Sequence, residues 1–222
     1  MPAVAWTPLL LTLKVASLAT LAAFVTGVAA AFFVARRPIW GKEWIDAILT
    51  LPMVLPPTVL GYYLILLIGR NGAIGKWLDA HFDFSLMFTW QGAVIAAAVV
   101  SFPLIFKSAR AAYEGVDTNL EDAARTLGLT ELAIFFRITF PLAWRGILAG
   151  TLLGFARAMG EFGATLMVAG NLPGKTQTLA LAIYDAVQAG EDDLANALVV
   201  ITSAACIVIL VVSSRMLRVR HA

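Results

Sequence analysis

Residues 118–146 read TNLEDAARTLGLTELAIFFRITFPLAWRG and form the most charge-dense interval between the long apolar runs of the chain. The chain therefore leaves an apolar environment here, builds a compact element in water and returns. Thr118 and Glu121 have the spacing of a capping box, in which a hydroxyl and a carboxylate bind the free amides of a first turn. Gly128 is a typical C-terminal stop. The pattern predicts a helix over about residues 118–128, about 15 Å long.

The predicted helix has a narrow apolar stripe. Four residues recur at helical spacing and form it: Leu120, Ala123, Ala124 and Leu127. Glu121 and Asp122 fall in the first turn, where the helix dipole favours negative charge. A helix this short is marginal in isolation. Its small alanine side chains suit close approach by another protein, although an ordinary amphipathic connector would have the same pattern.

The composition is that of an integral membrane protein. Of the 222 residues, 60% are hydrophobic and 14% are charged, and the mean hydropathy is +0.86. A soluble domain has about 25% charged residues. The net charge of +2 indicates little about partners, and no nucleic-acid partner is expected.

Five apolar runs are long enough to cross a bilayer core, which takes about 20 residues. Lipid offers no partners to free backbone groups, so each run must be helical unless a barrel closes, and the alternation of barrel strands is absent. We therefore predict an all-α, five-span bundle in which residues 1–222 form one transmembrane domain. The predicted spans are about 9–35, 46–69, 84–111, 144–170 and 194–215.

Lysine and arginine residues are distributed unequally between the two sides of this predicted bundle. Segments 36–46, 107–145 and 215–222 hold eleven of them, and the opposite loops hold three. The excess of positive charge marks the cytoplasmic side. The N-terminus is therefore predicted outside, and the 118–128 helix and the C-terminus inside. The N-terminus has no positively charged signal-peptide region, so we expect an uncleaved first span.

Residues 51–63, LPMVLPPTVLGYY, hold three prolines in the second predicted span: Pro52, Pro56 and Pro57. Each proline removes a backbone hydrogen bond and clashes with the preceding turn, so the helix should kink or unwind. Freed carbonyls at membrane depth are tolerated when they are buried in protein or face a wet cavity. Broken helices of this kind mark substrate pathways in transporters. A packing kink without contact to solute is the alternative.

The fourth predicted span contains two charged residues, Arg157 and Glu161. Charges at this depth are costly unless paired or wetted. Being four residues apart on one helix face, they can pair with each other. They could form a structural ion pair or line a pore, and the two roles are compatible. Lys14 poses a similar choice between a snorkelling side chain near a helix end and a cation that faces the path.

Metal and nucleotide sites are not expected. Cys206 is the only cysteine, so the chain has no disulfide framework, and His81 and His221 are isolated. Residues 169–176 superficially resemble a phosphate loop. The Walker pattern, however, needs glycine where the chain has Ala169, and it needs a preceding strand. We therefore predict that this chain itself binds no cofactor.

Three short blocks resemble the EAA loop of ABC importer permeases: EDAA at 121–124, Gly128, and ITFP at 138–141. Two departures from that pattern are the inserted Asp122 and Phe140, which stands where leucine is usual. In that family the loop is a coupling helix that sits in a cleft of the ATP-hydrolysing subunit. The resemblance assigns ATPase coupling to Glu121, Asp122, Ala123, Ala124, Leu127, Gly128 and Pro141.

The resemblance extends over nearly the whole chain. Residues 51–63, 101–110, 120–128 and 155–178 are similar to the permeases of bacterial molybdate importers, and sulfate and tungstate permeases share related blocks. The family implies an inner-membrane homodimer, two cytoplasmic ATPase subunits that carry ATP-Mg, and an external molybdate-binding protein. Tungstate and sulfate remain open as substrates.

In such a dimer we expect a cavity at the two-fold axis, lined by spans two, three and four. The candidate pathway or gate residues are Pro56, Pro57, Thr58, Arg157, Glu161, Thr165 and Asn171, together with Lys14. Glu161 suits an anion path only when it is neutralised, so we expect Arg157 or a capping amide beside it. A secondary transporter would need internal repeats and a titratable relay, and a membrane enzyme would need a convergent catalytic set. The sequence shows no repeat, no relay beyond the Arg157/Glu161 pair and no catalytic set.

Overall fold

The computed structural model describes residues 2–37 and 40–217, with side chains over 6–37 and 40–212. Within this part of the chain the regular structure is helical, which confirms the predicted all-α class. The helices are α1 (Pro2–Arg36), α2 (Lys42–Val54), α3 (Pro57–Ile68), α4 (Ala73–Phe82), α5 (Trp90–Glu114), α6 (Thr118–Thr126), α7 (Glu131–Ile134), a π-helical turn (Phe135–Thr139), α8 (Phe140–Met159), α9 (Gly163–Ala169), α10 (Leu179–Ala189) and α11 (Asp192–Leu217). Three residues of the C-terminal basic segment lie outside the described residues: Arg218, Arg220 and His221.

Four helical stretches of the described chain are long and apolar enough to cross a membrane. They are Trp6–Arg36, Trp90–Glu114, Glu131–Met159 and Asp192–Val212. Helices α2 and α3 together have the composition of a fifth, but they are bent by 112° at the break between them. The predicted five spans are thus found when this bent pair is counted as one.

The break between α2 and α3 follows from consecutive prolines. A residue that precedes proline is pushed out of the helical region, and both Leu55 and Pro56 precede one. Leu55 has φ −68° and ψ 140°, and Pro56 has φ −54° and ψ 139°. Pro57 is then the first residue of α3, a position where its missing N–H costs nothing. The predicted kink at 46–69 is therefore two separate helices.

Helix α5 is the centre of the bundle and packs between α1 and α8. It begins at Trp90 and not at residue 84, because Phe88 has φ +58° and Thr89 caps the helix by accepting a hydrogen bond from the amide of Gly92. Its buried face is lined with small side chains, among which Ala93, Ala96 and Ala97 are fully buried. Small residues of this kind let membrane helices approach closely.

The partner face of α8 carries glycines. A Cβ at Gly154 would lie 2.7 Å from Cγ1 of Ile105, and one at Gly146 would lie 2.6 Å from Cβ of Ala112. Real Cβ atoms do not approach so closely, so α5 and α8 can keep this spacing only with glycine at both positions.

The predicted fourth span, 144–170, is also broken. Helix α8 ends at Met159, and α9 begins at Gly163. Gly163 packs against the start of α3, since a Cβ there would lie 2.7 Å from Cβ of Pro57. The two breaks of the chain, at Leu55–Pro56 and at Gly160–Phe162, therefore lie side by side.

The two ends of the bundle are held differently. Near α6, a cluster of aromatic rings joins α1, α5, the π-helical turn and α8: Phe32, Tyr113, Phe135 and Phe140. At the far end, the hydroxyl of Thr12 accepts a hydrogen bond of 2.8 Å from the amide of Leu179 and so ties α1 to α10.

Candidate functional site

Helix α6 begins one residue earlier than the predicted capping box requires. Asp117 is the N-cap, and its carboxylate accepts a 2.9 Å hydrogen bond from the amide of Asn119. Thr118 is the first helical residue, so the predicted pairing of Thr118 with Glu121 is wrong. The Asp117 carboxylate satisfies a free amide of the first turn, and Glu121 is engaged elsewhere.

Glu121 points into the bundle and not towards solvent. It is 4% exposed. One carboxylate oxygen, Oε1, lies 2.8 Å from Nη2 of Arg36 and accepts a 2.6 Å hydrogen bond from the hydroxyl of Thr139. Glu121, which was predicted to contact the partner ATPase, is thus bound by residues of its own chain that are distant in sequence.

The outward face of α6 carries three exposed apolar residues among polar ones. Ala123 and Leu120 are exposed, and Leu127, just after the last helical turn, is 79% exposed. Ala124 is buried against the bundle. The predicted four-residue stripe is therefore divided: Ala124 faces inward, and the other three residues form an unpaired surface.

Gly128 terminates the helix, as predicted. Its φ is +82°, and the amides of Gly128 and Leu129 donate to the carbonyls of Arg125 and Ala124. This is the Schellman pattern of helix termination, for which glycine is the least strained residue. A Cβ at Gly128 would have no neighbour within 4 Å, so the open space here is available to a partner.

A solvent-exposed clasp fixes the segment after α6. Nε of Arg125 lies 2.6 Å from Oε1 of Glu131, and Nη1 lies 2.6 Å from Oδ1 of Asp122. The hydrogen bonds that Arg125 donates to Glu131 and then to Asp122 raise the pKa of its guanidinium above the ordinary value. The clasp joins α6 to α7. Pro141, the other predicted coupling residue, is exposed in the first turn of α8.

The second candidate region is the pair of helix breaks. Nη1 of Arg157 lies 2.9 Å from Oε2 of Glu161, and Oε1 of Glu161 accepts a 2.9 Å hydrogen bond from the amide of Ala164. Both neutralising groups expected beside Glu161 are present. The predicted single helix face is wrong, however, because α8 ends at Met159 and Glu161 reaches back across the break.

The other predicted pathway residues are distributed around these breaks. Pro56, Pro57 and Thr58 are exposed at the α2–α3 turn, next to Gly163. Thr165 is buried within α9. The side-chain oxygen of Asn171 is buried and has no hydrogen-bond partner within the described residues.

Lys14 contacts an aromatic ring. Its ammonium group stands 3.5 Å from the ring centroid of Trp90, which is a cation–π contact. Tryptophan typically marks a membrane interface, so this position agrees with the snorkelling interpretation of Lys14.

Sequence reasoning missed a charge network at the α6 end of the bundle. Asp46 of α2 binds Arg110 and also Lys107, whose Nζ is 2.5 Å from Oδ2. Glu114 binds Arg110 at 2.9 Å and Lys42 at 3.0 Å. Only the Arg110–Glu114 spacing of four residues gives a local signal. Among the described residues, no group of three or more His, Cys, Asp or Glu could hold a metal ion.

Comparison with known proteins gives the family. Residues 23–220 match the family described as "Binding-protein-dependent transport system inner membrane component". ModB, the molybdenum transport system permease protein of Escherichia coli (strain K12), is 45% identical over 215 residues, which cover 96% of this chain and 94% of that protein. CysW, the sulfate transport system permease protein of Synechococcus elongatus, is 39% identical over 160 residues, 72% of this chain and 56% of that protein.

Solved structures show the same fold. A chain of the MetNI methionine ABC transporter in an inward-facing conformation superposes with a TM-score of 0.70 and 17% sequence identity, over 98% of this chain and 94% of that chain. The multi-pass helical architecture, the α6 loop and these matches agree, and the chain belongs to the family of binding-protein-dependent transport system inner membrane components.

Proposed function

We propose that this chain is the permease subunit of an ATP-driven importer that moves molybdate into the cytoplasm. The observation that carries the proposal is the 45% identity to a molybdenum transport permease along 96% of the chain. The sulfate permease match covers less of both chains, so molybdate is favoured over sulfate. Tungstate, a tetrahedral dianion of the same charge, remains the alternative cargo.

Helix α6 would serve as the contact to the ATPase. Its exposed apolar residues are Leu120, Ala123 and Leu127, next to the open space at Gly128. A short helix with the small side chain of Ala123 at the centre of its exposed apolar residues fits a cleft, because another backbone can approach it closely. The ATPase would bind ATP-Mg, and this chain would bind no nucleotide.

The assembly would be a homodimer with two ATPase subunits and an external binding protein. Helices α2 and α3 support the homodimer, because they carry large apolar side chains that are half or more exposed, or nearly so, in the described chain: Trp44, Ile48, Leu51, Met53, Val54, Tyr62, Tyr63, Leu66 and Leu67. Some of these residues would face lipid and others a second copy. The family description names both the binding protein and the inner membrane, which is the location we propose.

The anion pathway would follow the dimer axis past the two adjacent helix breaks. Arg157 is the charged donor there, with its side chain 36% exposed, whereas that of Glu161 is 2% exposed. The guanidinium can therefore meet a passing anion while the carboxylate stays covered. With N-terminus outside, as the distribution of Lys and Arg predicts, α6 would face the cytoplasm.

The test is uptake of radiolabelled molybdate into proteoliposomes that contain this permease, its ATPase and the external binding protein. Uptake should require ATP on the ATPase side and should fall when unlabelled molybdate or tungstate is added, but not when sulfate is added. Accumulation by the permease alone, without the ATPase, would refute the importer assignment. Competition by sulfate at the same concentration as molybdate would refute the assigned cargo.

A further inference from the structure

The buried carboxylate of Glu121 joins three elements of the described chain: α6, the end of α1 and the π-helical turn. Its Oε1 atom binds Nη2 of Arg36, the last residue of α1, and the hydroxyl of Thr139, the last residue of the π-helical turn. Nη2 of Arg36 also donates a 3.4 Å hydrogen bond to the carbonyl of Val116, in the link before α6. We call Arg36, Glu121 and Thr139 the α6 tie.

The α6 tie is shielded from water, unlike the other charges of the loop. Thr139 is 1% exposed, and the side chain of Arg36 is 15% exposed. Asp122 and Arg125, by contrast, are largely exposed. An ion pair in such a covered position is held firmly, because a carboxylate left without its partner there would be strongly unfavourable.

The π-helical turn accounts for the orientation of Thr139. A π-helical turn inserts one residue into an α-helix and rotates the residues after it, and such turns are frequent at functional sites. An α-helix advances by 100° per residue, so regular winding from Glu131 onward would direct Thr139 away from Glu121. The irregular turn is thus coupled to the hydrogen bond that the tie requires.

We propose that Arg36 and Thr139 are positioning residues, which transmit the displacement of α6 to α1 and α8 simultaneously. The proposal rests on the function proposed above, in which α6 contacts the ATPase. Arg36 is the last residue of the 35-residue helix α1, and Thr139 immediately precedes α8. Glu121 therefore acts inside the permease, and the ATPase contact belongs to the exposed residues around Ala123.

The main test uses Arg36→Leu and Thr139→Val in the reconstituted importer, with Arg36→Lys as the conservative variant. The matched controls are Arg37→Leu, an exposed neighbour whose guanidinium stacks on Phe33, and Thr151→Val, whose hydroxyl bonds within its own helix. We measure the ATPase retained on purification, ATP hydrolysis, and molybdate transported per ATP hydrolysed.

We expect Arg36→Leu to retain the ATPase and to hydrolyse ATP, but to transport about tenfold less molybdate per ATP, because an unpaired Glu121 no longer links α6 to α1. Thr139→Val should have a smaller effect in the same direction, and Arg36→Lys should restore most of the ratio. The controls should match the wild type. A wild-type ratio in Arg36→Leu, or a loss of transport that merely follows loss of assembled complex, would overturn the proposal.

A second measurement does not depend on transport. In a Cys206→Ser background, a nitroxide attached at Ala123→Cys reports the mobility of α6 in the purified permease by electron paramagnetic resonance. Arg36→Leu and Thr139→Val should increase that mobility, and Arg37→Leu should not. Unchanged mobility in both variants would refute the proposal that the α6 tie holds α6 in position. Increased mobility in a permease that shows no ATP-dependent uptake would leave the tie standing and refute the function proposed above.

Discussion

Removing Arg157 should destabilise the permease more than removing Arg157 and Glu161 together. The Glu161 carboxylate is 2% exposed and the Arg157 side chain is 36% exposed. In the variant Arg157→Ala the carboxylate stays buried with only the amide of Ala164 as a donor. In the double alanine variant there is no buried charge to compensate.

The magnitudes follow from this burial. Loss of one member of a fully buried pair costs about 3–5 kcal/mol, and an exposed pair contributes at most about 1 kcal/mol. Because Arg157 is partly solvated and one amide bond remains, Arg157→Ala should cost about 2 kcal/mol. Glu161→Ala loses the hydrogen bond from the amide of Ala164 at the start of α9. That loss is comparable to the loss of a helix cap and should cost about 1 kcal/mol. The double variant loses the same bond and should cost the same, about 1 kcal/mol.

The assay is thermal unfolding of the purified permease in detergent, followed by tryptophan fluorescence. In a chain of this size, a loss of 1 kcal/mol lowers Tm by about 2–4 °C. Arg157→Ala should therefore lower Tm by about 4–8 °C, and the double variant by about 2–4 °C. Arg145→Ala, at an exposed arginine on the same helix, is the control. A double variant that is less stable than Arg157→Ala would refute the reasoning.

Three further changes test other contacts. Gly61→Leu should separate α3 from α9, because a Cβ there would lie 2.6 Å from Cβ of Met167. Uptake should be lost, and Tm should fall by about 2–12 °C, the range expected for overpacking. Gly128→Val should reduce co-purification of the ATPase, because φ +82° strains a β-branched residue and distorts the exposed end of α6. The same strain, about 1 kcal/mol or more, should lower Tm by at least about 2 °C. Asp46→Asn should lower Tm by about 2–4 °C, because it weakens the charged hydrogen bonds to Lys107 and Arg110.

Two matched control variants distinguish these specific effects from a general loss of stability or assembly. Gly27→Ala should unfold like the wild type, since the nearest atoms to its new Cβ are 3.5 Å away. Gly174→Val places the same side chain at φ +74°, with open space around it, on the loop between α9 and α10. It should therefore leave ATPase co-purification intact. If Gly174→Val reduced co-purification as much as Gly128→Val, the docking role of the α6 surface would be contradicted.

The long apolar runs predicted the membrane helices because burial in lipid requires little beyond length and hydropathy. Their ends were less predictable, since each depends on one side chain. Thr89 delays the start of α5, and Asp117 replaces Thr118 as the cap of α6. The consecutive prolines at 56 and 57 did indicate the first helix break, because their effect on the backbone is local.

Contacts between distant residues explain what the sequence could not show. Arg157 and Glu161 are close in sequence, so their pairing was predictable, whereas the close approach of Gly163 to Pro57 beside the break joins two distant segments. The bond between Arg36 and Glu121 joins the first helix to the loop after the third span. No periodicity or local spacing connects two residues so far apart, and the π-helical turn that aims Thr139 has no sequence signature here.

The length of α1 has a consequence for the surrounding lipid. Between Lys14, which rests on Trp90, and Arg36, the helix rises about 33 Å at 1.5 Å per residue, close to the hydrocarbon thickness of about 30 Å. Hydrophobic mismatch with a thinner or thicker bilayer is relieved by tilting the helix. Because Arg36 at its end holds Glu121, such tilting would shift α6 as well. The acyl-chain length of the surrounding lipid would thereby affect the position of α6.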